Sequence, residues 1–126
     1  MINSIPTRNN HVTKKTRLLV TRGKQNYSLR LDEIVLFFSQ HKTVYAVDQT
    51  NQKYFCEGNL SEIELSLGKT FFRANRQYII NIEYLENFET FEKVKLSVKM
   101  RPPANDHAII VSQERNRQFK RWIASL

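Results

Sequence analysis

Asn75 and Arg76 stand side by side in a polar break between two apolar segments, Phe71–Ala74 and Tyr78–Ile82. The pair carries the chemistry of base-edge recognition: a carboxamide pairs bidentately with adenine, and a guanidinium with guanine. The plainer reading makes Asn75 a turn residue and Arg76 a contact to phosphate alone. There is no nucleophile elbow with a Ser/His/Asp order, no HExxH, no phosphate-binding glycine loop and no metal-spaced Cys/His set. His11, His41 and His107 fall in expected loops or in the N-terminal arm, with no pattern that makes them converge. Catalysis is therefore not expected, nor is a metal or any other cofactor.

Charge supplies the second clue. The 126 residues include 20 lysines and arginines against 12 acids, a net charge of +8. Basic groups that neutralise phosphates release counterions, so such a balance favours a polyanionic partner. Many small proteins are basic without one, and the distribution is more telling than the total. Residues 1–30 hold seven basic side chains and no acid, whereas residues 31–68 hold six acids and two bases. Lys69, Arg73 and Arg76 follow without an acid, then four glutamates between Glu83 and Glu92, and eight bases against two acids from Lys93 onward. Alternating blocks of this kind build either one positive and one negative face or a set of solvated surfaces.

The elements that must position these residues are mostly strands. Residues 1–15 are polar and basic and read as a loose arm or linker; residues 16–126 read as one domain. Strands are expected over Thr16–Thr21, through the alternating Tyr27, Leu29 and Leu31, and over the continuous apolar run Ile34–Phe38. The polar Gln40–Lys42 interrupts, Thr43–Asp48 resumes, and Lys53–Cys56 returns as a hairpin partner across the turn Gln49–Gln52. Asn59 and Glu62 have capping-box spacing for a short helix with Leu60, Ile63 and Leu67 on one face and Gly68 placed to close it. Lys93–Arg101 alternates throughout, with Val94, Leu96, Val98 and Met100 on one side and a basic row on the other. That row is expected to be solvated and to discourage edge pairing. Pro102 and Pro103 end the strand, a long loop runs to His107, and Ala108–Val111 is a further strand. Ser112 is placed to cap a C-terminal helix in which Phe119, Trp122, Ile123 and Leu126 face the sheet. No run approaches the roughly 18–20 apolar residues that span a bilayer, no signal-peptide core is present, and Cys56 stands alone, so a cytoplasmic home is expected and no membrane contact.

The stretch Phe71–Ile82 resembles the signature of LytTR domains, roughly F-x-R-x-H-R-x-Y followed by two aliphatic residues and asparagine. Phe71, Arg73, Arg76, Tyr78, Ile79, Ile80 and Asn81 match it, and Asn75 departs where histidine is common. The resemblance extends from about Gly23 to Ile123 through the order of strand, polar break, hairpin and short helix. It implies a mainly β fold of small antiparallel sheets with one short internal helix and a C-terminal helix. It also implies a transcription regulator that binds double-stranded DNA by inserting loops into successive major grooves at paired sites, with bending of the duplex. A homodimer on DNA and a separate receiver or sensor protein are the partners it allows, since too few residues precede Gly23 to hold a receiver. The rival classes are a non-specific RNA- or polyanion-binding module, which would expose stacking aromatics, and a protein-interaction module with solvated basic faces.

On this resemblance, Lys42 and Thr43 occupy the first groove-entering loop, Asn75 and Arg76 the second, with Arg73 in the strand before it and in reach of the DNA backbone, and Gln113 and Arg115 the third. Arg115 resembles the last base-contacting arginine of the family. Arg73 has a structural alternative, an ion pair with a glutamate such as Glu83, and Thr43 reads equally well as part of an ordinary β-turn. Glu114 would repel phosphate unless turned away or paired.

Overall fold

The computed structural model describes residues 15–126; the expected arm lies almost wholly outside them. Ten strands and two α-helices follow in order: β1 (Arg17–Arg22), β2 (Gln25–Arg30), β3 (Ile34–Gln40), β4 (Thr43–Asp48), β5 (Lys53–Cys56), α1 (Leu60–Leu65), β6 (Phe71–Arg73), β7 (Tyr78–Asn81), β8 (Leu85–Phe91), β9 (Lys95–Met100), β10 (Ile109–Val111) and α2 (Gln113–Ala124). The expected mainly β, antiparallel architecture is what forms. Its strands gather into one seven-stranded sheet, in the order β2-β1-β5-β4-β3-β7-β6, and one three-stranded sheet, β10-β9-β8.

The large sheet is buried on both sides near its centre, which is why Ile34–Phe38 is continuously apolar rather than alternating. On one face Ile34, Phe37, Val44, Ala46 and Ile79 pack with Leu60, Ile63 and Leu67 from α1 and its following turn. On the other, Val35, Leu36, Val47 and Ile80 meet Leu96, Val98 and Met100 of β9, Ile109 and Val111 of β10, and Phe119 of α2. Strand alternation therefore sends the neighbours Ile79 and Ile80 into opposite cores. A register shift between Ile34 and Leu36 lets Val35 and Leu36 share one core.

Asn59 caps α1 as expected: its side chain accepts from the Glu62 N–H at 2.9 Å, and the Glu62 carboxylate accepts from the Asn59 N–H at 2.9 Å. The helix closes at Ser66, whose hydroxyl donates to the Ile63 carbonyl at 2.9 Å, and not at Gly68. A polar side chain that satisfies a terminal carbonyl removes the need for a left-handed glycine. The strand expected from Lys93 begins at Lys95; Val94 sits exposed in the preceding turn, while Leu96, Val98 and Met100 are buried. Strand β8 carries no apolar alternation because most of its residues are exposed on both sides, and its pairing slips between Leu85 and Asn87. Phe119, Trp122 and Ile123 do pack against the sheets, but Leu126 lies beyond α2 and is exposed.

Asp48 organises the β4–β5 turn. One carboxylate oxygen accepts from Thr50 N (2.9 Å), Thr50 Oγ1 (2.8 Å) and Gln52 N (2.9 Å), and the other from the Tyr54 hydroxyl (2.9 Å). Burial alone would raise its pKa; the hydrogen bonds outweigh that and hold it below the usual 3.8. Its contribution to stability is thus complete above that value and is lost as pH falls through the depressed folded pKa. Asp48→Asn should cost about 1.5–3 kcal/mol at neutral pH, the range for hydrogen bonds to a charged group. Urea unfolding at pH 7 and pH 3 checks this: the gap between wild type and variant should narrow at the lower pH, and a gap that widens would reverse the assignment.

Candidate nucleic-acid interface

Three loops meet at one edge of the molecule. The first is the β3–β4 turn. His41 (φ 51°) and Lys42 (φ 65°) both adopt left-handed backbone between the paired Gln40 and Thr43, the geometry of a two-residue hairpin whose twist matches its strands. Lys42 is exposed and Thr43 half-buried. The second loop joins β6 to β7 through Ala74–Gln77. The third is the entry to α2, where Ser112 holds the capping position in extended backbone and Gln113 begins the helix.

Hydrogen bonds tie the loops together. Ser39 N–H donates to the Gln77 carbonyl at 2.9 Å, which joins the first loop to the second. Asn75 Nδ2 donates to the Ile110 carbonyl at 2.7 Å, and Arg115 donates to the Arg73 carbonyl at 3.2 Å, which joins the second to the third. Arg73, Asn75, Arg76, Ser112, Glu114 and Arg115 line a cleft of about 290 Å³ between them.

The loop that carries Arg76 is held by its neighbours. Arg73 turns its guanidinium inward: Nε donates to the Asn75 carbonyl (2.7 Å) and Nη2 to the Arg76 carbonyl (3.1 Å), while Nη1 reaches Ser61 Oγ (3.3 Å) and the Glu64 carboxylate (3.4 Å). The ion pair foreseen for Arg73 is thus with Glu64 of α1. Asn75 Oδ1 accepts from Gln77 N (2.7 Å) and Tyr78 N (3.0 Å). With Nδ2 on Ile110, both ends of the Asn75 amide are engaged within the protein. Arg76, by contrast, is exposed, and its guanidinium makes no hydrogen bond or ion pair among the described residues. Glu114 lines the same cleft without an ion-pair partner among those residues, in the first turn of α2, where the helix dipole favours an acid.

His107 braces the edge in a way no sequence spacing indicated. Its Nδ1 lies 3.1 Å from the Tyr78 hydroxyl, and its ring packs against Phe38 with centroids 5.5 Å apart. Burial lowers its pKa below 6.5, with Asp106 opposing, so it is neutral at pH 7. The thiol of Cys56 is pushed up to about 12 by burial and carries no reactive thiolate. No group of three or more metal-ligating side chains occurs among the described residues, and no helix among them is long and apolar enough to cross a membrane.

An antiparallel β body thus gathers three loops, carrying Lys42, Arg76 and Arg115, on one edge. The family model of the LytTr DNA-binding domain matches residues 24–124. The chain belongs to the LytTR family of DNA-binding domains. Among solved structures it is similar to the LytTr DNA-binding domain of a protein described as a methyl-accepting/DNA response regulator from Bacillus cereus, with a TM-score of 0.76 and 17% identity over 86% of this chain and 97% of that one. No curated protein matches the sequence.

The Arg73 fork makes a direct prediction. Arg73→Ala should lower stability by about 1–3 kcal/mol because two loop carbonyls and Glu64 lose their donor. Arg73→Lys should not restore it, since one ammonium cannot reproduce the planar fork. A lysine variant as stable as wild type to urea would show that charge alone suffices.

Proposed function

We propose that this domain is a sequence-specific regulator of transcription that binds double-stranded DNA in the bacterial cytoplasm, with its three loops entering the major groove at paired sites. The observation that carries the reading is the exposed, uncommitted guanidinium of Arg76 on a loop whose backbone is fixed from beneath by Arg73 and Asn75. A side chain presented from a fixed backbone loses less freedom on binding than one on a mobile loop. Arg76 and Arg115 read guanine edges, Lys42 and Gln113 contact bases or phosphates beside them, and Thr43 supports the first loop or touches phosphate. Arg73 and Asn75 act by holding the second loop. Two copies occupy paired sites as a homodimer on DNA, and a separate receiver or sensor protein delivers the signal in a two-component system.

Selection from a random duplex library tests this. An enriched, repeat-like site bound far more tightly than scrambled duplex is the expected result. On that site Arg76→Ala and Arg115→Ala should each cost about 1–3 kcal/mol, with a much smaller loss on scrambled DNA. Equal losses on both would reduce the two arginines to backbone contacts.

One observation favours a second reading. Phe55, Tyr45, Phe38 and Tyr78 lie in one cross-strand row, and Phe55 is exposed while Tyr45 and Phe38 are only half-buried. Such a row is a stacking surface for unpaired bases. Stronger binding to single strands or RNA than to duplex, lost in Phe55→Ala, would favour it.

A further inference from the structure

Exposed basic side chains occur on two neighbouring surfaces with different partners. On the three-stranded sheet, Lys95 pairs with Glu92 at 3.3 Å and Lys99 with Glu86 at 3.8 Å. Two members of the basic row are thus paired with acids of β8 and of the turn that follows it. On α2, Arg117, Lys120 and Arg121 are exposed and line one groove of about 580 Å³ with Val94, Gln113, Asn116 and Ala124. No acid lines that groove, and none of its three cations has an ion pair among the described residues. Asn116 fixes the groove's wall by donating to the Val94 carbonyl at 3.0 Å. Phe119 and Trp122, from the opposite side of the helix, pack into the core and hold the helix in place.

Helical spacing puts Gln113, Arg117, Lys120 or Arg121, and Ala124 in one line. Gln113 opens α2 at the third loop of the candidate interface, so the cationic line starts there and runs down the flank of the domain. An ordinary solvated face would intersperse both signs, as β8 and β9 do. A line of one sign attached to a DNA-reading edge instead matches a phosphate backbone.

We propose that the Arg117, Lys120 and Arg121 face of α2 takes phosphates of the duplex that flanks the site read by the loops. It does so without regard to sequence, and it draws the flanking DNA toward the side of the domain. This rests on the DNA-binding reading above and adds a second, electrostatic surface to it. The three cations lengthen the footprint beyond the bases that Arg76 and Arg115 reach.

The experiment compares two double variants of equal charge change, Lys120→Ala/Arg121→Ala and Lys95→Ala/Lys99→Ala. Each is titrated over a range of salt against a duplex trimmed to the selected site and against the same site with added flanks. Wild type should bind the longer duplex more tightly and with a steeper salt dependence. The α2 variant should lose that advantage, with the slope of log K against log salt falling by about two, close to 0.9 per phosphate contact. The β9 variant should keep both. Circular dichroism of each variant checks that the fold is retained. Equal behaviour of the two variants, or an α2 variant that still gains from the flanks, overturns the proposal. So does an α2 variant with an unchanged salt slope that loses only association between copies, which would assign the groove to an acidic protein surface. Failure of wild type to prefer duplex at all would instead reject the underlying DNA reading, and the trimmed duplex reports that separately.

Discussion

The two-sided burial of β3 and β7 is the constraint on which the rest of the domain depends. Ile79 and Ile80 are adjacent, yet each is fully buried in a different core. A slip of one residue in this strand would exchange the two side chains and disturb both cores at once, so the register is doubly enforced. Tyr78 begins the same strand and closes the loop that carries Arg76, its N–H held by Asn75 and its carbonyl accepting from Ala74 N–H at 2.9 Å. The register of a buried strand thereby sets where an exposed arginine stands. The pairing of Phe38 with Tyr78 carries the same constraint across to β3 and the turn beyond it.

Polar contacts finish what packing begins. A loop that leaves a sheet must satisfy its own carbonyls, and here Arg73 takes those of Asn75 and Arg76 while Asn75 takes the amides of Gln77 and Tyr78. Arg73 is itself largely buried, with 13% of its side chain exposed, and is anchored to Glu64. The helix α1 thus reaches the interface through one ion pair, although its body packs on the far core. Two arginines three residues apart are placed oppositely: Arg73 bonds the loop from beneath, and Arg76 is exposed.

Much of the frame was legible because burial leaves periodic traces. The alternation of Leu96, Val98 and Met100, the capping pair Asn59 and Glu62, and the unbroken run from Ile34 each point to an element that forms. Strand β8 was not legible: Leu85 and Phe88 are half-buried, the intervening residues are exposed, and a register shift breaks the period. The signature marked the loop but not the division of labour within it. Arg73 bonds Glu64 and Ser61, Asn75 bonds Ile110, and Tyr78 meets His107; these partners lie 9, 12, 35 and 29 residues away. No local rule encodes contacts of that range. The basic row of β9 lies on an exposed face, but it guards no edge: β9 is the central strand of its sheet, and the acids that pair Lys99 and Lys95 stand on β8 and in the turn after it.

Asn75 occupies a signature position and spends its side chain on contacts within the protein. Family members commonly carry histidine there, and this chain supplies an amide that accepts from two loop amides and donates to β10 at once. Those three contacts use both ends of the carboxamide, so a bidentate pair with adenine would break the contacts that shape the loop. The loss of those bonds would fall on Arg76, whose placement depends on them, and on the Arg115 contact to the Arg73 carbonyl next door. Reading by Arg76 and holding by Asn75 are therefore compatible, whereas reading by both is not without rearrangement. Committing one side chain of the pair to the loop is what lets the other be presented in a defined direction.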